Sequence, residues 1–136
     1  KEIIVLSNGK NVAPNLVEET LLRSKFISQV VVVGDNRKFL SALIVLDPET
    51  VSHVLGIAGT LSDLVENREI KALIQQDVLA CSKGLSAYEI IKKFVLIPNE
   101  FSIEGMELTP TLKLRRKEIN KKYEQKIQSI YMSEGE

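Results

Sequence analysis

The segment E-L-T-P-T-L-K-L-R-R-K over residues 107–117 crowds four cations, Lys113, Arg115, Arg116 and Lys117, around the point where a helix should start. Downstream, Ile119, Tyr123, Ile127 and Ile130 recur at the spacing of one helical face, which predicts a helix beginning near Leu114. Its first turn would hold Arg115, Arg116 and Lys117 at the positive end of the helix dipole. An exposed cation there is unfavourable by roughly 0.3–1 kcal/mol, and a carboxylate is preferred. Local rules are broken at functional sites more often than elsewhere. The run therefore points to an anion at this corner, with a solvated cationic face as the alternative. Lys113 stands at the mouth of the helix, in a turn that Pro110 stiffens through its fixed φ. Thr109 and Thr111 can close that turn with hydroxyl-to-backbone bonds.

Other residues that could do chemistry carry less. His53 is the only histidine and sits among Val51, Val54 and Leu55, with no carboxylate or cysteine motif beside it to orient it. Cys81, the single cysteine, falls on an apolar helical stripe and reads as a core filler; it excludes an internal disulfide. Tyr123 and Tyr131 share their stripe with isoleucines and read as core. No G-x-x-x-x-G-K-[ST] or G-x-G-x-x-G loop occurs, and no Cys/His spacing suits a metal.

Composition bounds the rest. At 136 residues the chain fits one domain, able to bury roughly two thirds of its unfolded surface. Lys plus Arg (18) equals Asp plus Glu (18), so no net field draws the whole chain to nucleic acid or an anionic membrane. No apolar run approaches the ~20 residues that span a bilayer, and the first residues do not read as a signal peptide. A start at Lys1, without Met, reads as that of an excised fragment.

Strands and helices that would position these residues alternate along the chain. Residues 3–6 and 11–13 read as a hairpin turning at Ser7, Asn8, Gly9 and Lys10, where Gly9 can take φ > 0. Pro14 suits the first position of a helix ending near Lys25, with Leu16, Val17, Thr20 and Leu21 inward and Glu18 and Glu19 favouring its positive end. Residues 28–33 and 40–46 are β-branched strands joined through Gly34, Asp35, Asn36 and Arg37. Asp47-Pro48 is a cap and helix-first proline, opening a short helix that ends around 56–59. Ile70, Leu73, Ile74, Val78 and Cys81 predict an amphipathic helix over 67–82, which Gly84 interrupts. Residues 94–97 make a third strand, parallel or antiparallel. Residues 133–136 read as a frayed terminus. The fold class is α+β: a small N-terminal β-hairpin plus a three-stranded sheet flanked by helices.

The run at 107–117, with F-S-I-E before it, resembles the signature near the carboxyl end of long-chain fatty-acid CoA ligases, which belong to the adenylate-forming, AMP-binding enzymes. K-E-I-I-V-L-S-N-G-K-N-V-A-P at 1–14 and V-V-V-G-D-N-R-K-F-L-S-A-L-I at 31–44 are similar to the family's C-terminal domain in the same order. The resemblance implies that residues 1–136 are one domain, the mobile C-terminal domain of a two-domain ligase whose N-terminal domain is absent. ATP and Mg2+ would be bound mainly by that absent domain, CoA and a fatty acid would be further substrates, and the isolated fragment would be inactive. Lys113 matches the lysine that bridges carboxylate and phosphate in adenylation, with Thr109, Pro110 and Thr111 supporting its loop. Lys1 falls at the family's hinge residue. Gly9, with Ser7, Asn8 and Lys10, matches the loop lining the pantetheine path of CoA. Arg37 and Lys38 would contact CoA phosphates or form a solvated hairpin tip, and Met106 stands where long-chain members often have Gly. The partner implied is the protein's own N-terminal domain and not nucleic acid. The location implied is cytoplasmic, with peripheral attachment to a membrane left open. Two other functions stay open: a non-enzymatic module docking a phosphorylated ligand or an acidic protein, and a fatty-acyl-AMP ligase delivering to a carrier protein.

Overall fold

The computed structural model describes residues 2–132; Lys1, the expected hinge, and the tail at 133–136 lie outside the described residues. A hairpin of β1 (Ile4–Val5) and β2 (Asn11–Val12) opens the fold, with Ile4 opposite Val12. Gly9 makes the reversal at φ 89°, a left-handed value that a side chain disfavours. α1 (Pro14–Leu21) begins with proline in its first turn, where the missing N–H has no partner to lose. This helix departs from expectation twice. It stops at Leu21 because the chain tightens into i→i+3 bonds, Arg23 N to Thr20 O and Ser24 N to Leu21 O. Its inward stripe is Pro14, Val17, Glu18, Thr20 and Leu21, whereas Leu16 is 47% exposed.

β3 (Ile27–Val33) and β4 (Ser41–Leu46) pair antiparallel, Val31 opposite Leu43, with an irregularity between Ile27 and Gln29. Asp47 caps α2 (Pro48–Leu55) by accepting from Thr50 N, and Gly56 ends it at φ 68°. α3 (Leu61–Leu64), not anticipated, starts with a capping box in which Thr60 and Asp63 satisfy each other's backbone donors. α4 (Arg68–Cys81), capped by Asn67, buries Ile70, Ile74 and Val78. Tight 3-10 turns at Ser82–Gly84 and Ala87–Glu89 lead into β5 (Lys93–Leu96). β5 lies parallel to β4, Leu43 opposite Val95, a pairing that needs the long helical crossover the chain makes between them. α5 (Arg116–Lys122) and α6 (Glu124–Met132) complete the chain.

The sheet order is β3-β4-β5, and every residue of β4 is buried. Alternate residues feed two separate cores because successive side chains point to opposite faces. Val30, Val32, Ala42, Ile44 and Leu46 pack with the hairpin, α1 and α4. Val31, Val33, Leu43 and Val45 pack with Leu108, Ile119, Tyr123, Ile127 and Tyr131. No helix among the described residues is long and apolar enough to cross a membrane.

Candidate functional site

Lys113 ends a tight reversal that hangs from the second core. Leu108 and Leu114 face each other as an isolated antiparallel bridge, and Arg115 N donates to Glu107 O at 2.8 Å. Leu114 is thereby held extended, so the helix starts at Arg116 rather than near Leu114. Inside the bridge, Thr109 N donates to Lys113 O at 2.8 Å and Leu112 N to Thr109 O at 2.7 Å. The Thr109 hydroxyl accepts from Lys113 N at 3.0 Å. Thr111 bonds the Thr109 hydroxyl at 3.1 Å and not the backbone. Pro110 supplies a fixed φ at the tip. Lys113 is exposed, and among the described residues its ammonium has no ion-pair partner.

The remaining cations do not form one free cluster. Arg116 folds inward, its side chain 13% exposed, and grips Glu18 bidentately: Nη1 to Oε2 and Nη2 to Oε1, both 2.6 Å. Its Nε meets Glu2 at 2.5 Å and Nη2 donates to Asn15 at 2.9 Å. Glu18 Oε2 also accepts from Val32 N at 2.8 Å, a donor on the outer edge of β3 that would otherwise lack a partner. Burial works to lower the Arg116 pKa, but hydrogen bonds to Glu18 and Glu2 and their charges together hold it above its ordinary value. The anion called for at this helix start is thus, for Arg116, supplied from within the chain. Lys117 is exposed, and Arg115 is half-buried with Nη1 3.5 Å from Met106 Sδ.

A second buried carboxylate sets the base of the loop. Glu107 Oε1 accepts from Ser102 N at 2.9 Å, and Oε2 accepts from the Tyr123 hydroxyl at 2.5 Å and pairs with Lys122 at 3.2 Å. Burial first, then the bond to Glu107 and its charge, push the Tyr123 hydroxyl well above its ordinary value. Met106, just before, sits at φ 65°, which explains why glycine suits that place.

The turn of Ser7, Asn8, Gly9 and Lys10 hangs from the first core. Leu6 N donates to Lys10 O, Gly9 N to Leu6 O and Lys10 N to Asn8 Oδ1. The β3–β4 connection braces it through Ser7 N to Arg37 O and Asn36 N to Val5 O, both 2.9 Å. A Cβ built on Gly9 meets nothing within 4 Å, so the space in front of it is open. Beside it lies a groove of about 260 Å3 lined by Asn8, Lys38, Phe39, Tyr88 and Lys92. Arg37 is turned away, its guanidinium 4.7 Å over the Tyr131 ring, whereas Lys38 is exposed.

His53 is exposed on α2, and Tyr123 and Tyr131 are buried. Cys81 is half-buried at the rim of the core rather than within it, because Val78 and Ser82 take the inward positions. Burial, then Asp77, raise its thiol pKa against Arg23. No group of three His, Cys, Asp or Glu side chains among the described residues could hold a metal ion.

The sequence reading misses Glu2, Glu107 and the ion pair of Glu18, which it assigns to the positive end of α1, whereas no acidic residue falls in that helix's first turn. Glu18 had a signal, since Pro14, Glu18 and Leu21 fall on one helical stripe. Nothing in the spacing connects it to Arg116.

The AMP-binding enzyme C-terminal domain model matches residues 1–135. The chain is 41% identical to long-chain-fatty-acid–CoA ligase FadD15 of Mycobacterium tuberculosis, over 98% of this chain and 23% of the relative. It is 37% identical to long-chain-fatty-acid–CoA ligase 5 of Rattus norvegicus, over 98% of this chain and 20% of the relative. It thus spans about a fifth of the length of these curated relatives. Among solved structures, the adenylation domain of a carboxylate reductase from Mycobacterium chelonae matches with TM-score 0.80 and 26% identity over 96% of this chain and 19% of that one. The A-PCP didomain of a carboxylic acid reductase from Segniliparus rugosus in complex with AMP shares the fold, with TM-score 0.80 at 24% identity over 98% of this chain and 18% of that one.

Proposed function

The chain belongs to the AMP-binding enzyme C-terminal domain family, and on that premise we propose that it is the mobile C-terminal domain of an ATP-dependent long-chain fatty acid:CoA ligase. The observation that carries the proposal is the presentation of Lys113: an exposed ammonium without an ion-pair partner among the described residues, on a reversal whose backbone bonds are closed at both ends.

In adenylation a fatty-acid carboxylate oxygen attacks the α-phosphorus of ATP, and the bond to pyrophosphate breaks. Two anions must approach, and negative charge grows on the phosphoryl oxygens. Preorganised positive charge at that point is commonly the largest catalytic term. Lys113 supplies it, with a stem long enough to reach carboxylate and phosphate oxygens together, while Thr109, Pro110 and Thr111 fix its origin. In the second step the CoA sulfur attacks the acyl carbon and AMP leaves. The open Gly9 turn, with Ser7, Asn8 and Lys10, lines the pantetheine path, and Lys38 rather than Arg37 is placed to meet phosphate oxygens. The hinge between the two steps is Lys1. ATP, Mg2+ and the acyl chain are held chiefly by the N-terminal domain. The rival reading, a phospholigand-binding module built on the cationic helix start, is weakened by Arg116, whose charge is already matched by Glu18 and Glu2.

The test is ATP–pyrophosphate exchange with a long-chain fatty acid in the complete ligase, wild type against Lys113→Ala, beside CoA acylation from pre-formed acyl-adenylate. Exchange should collapse while acylation and thermal stability persist, since an exposed site residue is nearly neutral for stability. Unchanged exchange would overturn the assignment.

A further inference from the structure

Three non-glycine residues among the described ones have positive φ: Asn36, Met106 and Leu112. Asparagine adopts this region readily. Met106 (φ 65°) and Leu112 (φ 67°) do not, and both are large apolar residues left 52% and 66% exposed. Strain of this kind persists only where the surroundings over-determine it, and it gathers at sites of function. Met106 precedes the reversal that carries Lys113, and Leu112 lies within it. Leu112 is the immediate neighbour of Lys113, locked by its own N–H to Thr109 O. Arg115 holds Met106 from the other side. Neither side chain fills a core of this domain, so burial within the domain does not offset the strain.

We infer that Leu112, with Met106 beside it, is the apolar contact that seats the lysine loop against the larger portion of the same polypeptide. This inference rests on the reading of Lys113 as the adenylation lysine. The occupant follows from continuity: whatever surface receives the Lys113 ammonium must also cover the residue next to it. The curated relatives extend over about three to four times more chain than is matched here, which leaves ample protein to present that surface. Leu112 acts as a positioning residue. Burying its side chain only when the loop is seated makes the seated state more favourable without touching the reacting atoms.

The complete ligase tests this with Leu112→Asn, Leu112→Met and Lys113→Ala. Asparagine relieves the backbone strain and removes the apolar contact; methionine keeps the contact. Leu112→Asn should hold or raise the thermal midpoint while lowering ATP–pyrophosphate exchange by about tenfold or more. Acylation from pre-formed acyl-adenylate should be unaffected, and Leu112→Met should stay within about twofold of wild type in exchange. If Lys113→Ala abolishes exchange but Leu112→Asn leaves it intact, the contact is refuted and the lysine assignment stands. Should Lys113→Ala also leave exchange intact, both fall. A midpoint that drops in step with activity would make Leu112 a structural residue and overturn the inference. Intact exchange in Leu112→Asn, combined with lost binding to anionic phospholipid vesicles or a lost dimer in sedimentation, would assign the patch to a membrane or to a second copy instead.

Discussion

Removing Arg116 should reveal how much the fold depends on one ion pair. Arg116→Met leaves the Glu18 carboxylate, 7% exposed, with Val32 N as its remaining close donor. Breaking a buried pair from one side typically destabilises by ~3–5 kcal/mol. The guanidinium is 13% exposed and its Glu2 partner 51% exposed, which favours the lower end, about 3 kcal/mol. Glu18→Gln keeps an oxygen for Val32 N and leaves Arg116 to Glu2 and Asn15, so about 1–2 kcal/mol should be lost. Carrying both substitutions removes both charges, and the total should fall short of the sum by about 2 kcal/mol. Urea unfolding of the 136-residue chain measures all four corners of this cycle. Repeating it in about 0.5 M salt separates a shielded pair, which keeps its coupling, from a surface pair, which loses it. Single losses that add to within ~0.5 kcal/mol would refute the view that Arg116 and Glu18 act as a unit.

Tyr123 gives a pH signature. Its hydroxyl is raised above the ordinary value of 10, so its contribution is complete below pH 10. As pH rises beyond that, the unfolded chain releases the proton while the folded one keeps it, and stability falls by about 1.4 kcal/mol per pH unit until the folded-state pKa is reached. Tyr123→Phe should lose roughly 1–2 kcal/mol at pH 8 and show a shallower decline between pH 9 and 11, read from urea midpoints; equal slopes in the two proteins would refute this. A Cβ at Gly9 meets no neighbour within 4 Å, but Gly9→Val must hold φ 89°, so the chain should lose about 1–2 kcal/mol. In the complete ligase the same change should slow acylation from pre-formed acyl-adenylate and spare pyrophosphate exchange; slowed exchange instead would place the turn on the wrong step. Gly105→Ala sets a Cβ 2.7 Å from Glu107 Oε1, and displacing that buried oxygen should lower stability by about 1–2 kcal/mol in thermal unfolding; a neutral result would mean the Glu107 network yields freely.

Much of this architecture was readable because the signals are local. The β-branched runs became β3 and β4, Asp47 and Asn67 cap the helices that follow them, and the isoleucine stripe at 119–130 is buried. α3 was readable too, since T-L-S-D at 60–63 is a capping-box pattern, but four residues carry too little periodicity to stand out. The parallel pairing of β5 depends on where a long crossover lands, which strand composition does not encode. The candidate site divides in the same way. The lysine turn follows from T-P-T, whereas its supports are long-range: Glu18 and Arg116 lie 98 positions apart, and Glu107 finds Tyr123 only once the helix has docked. A run of cations looks alike whether its partners are absent or folded against it.

β4 separates two cores, and each core carries one of the two loops: the Gly9 turn grows from the hairpin side and the Lys113 reversal from the other. Arg116, Glu18 and the edge of β3 tie the two halves together at one margin. On the proposed reading the two loops, standing on different cores, would be offered to the reaction centre in turn. If the domain turns as one piece, the arrival of one loop is the departure of the other. The order of the two chemical steps would then need no separate control, because timing would be a property of shape.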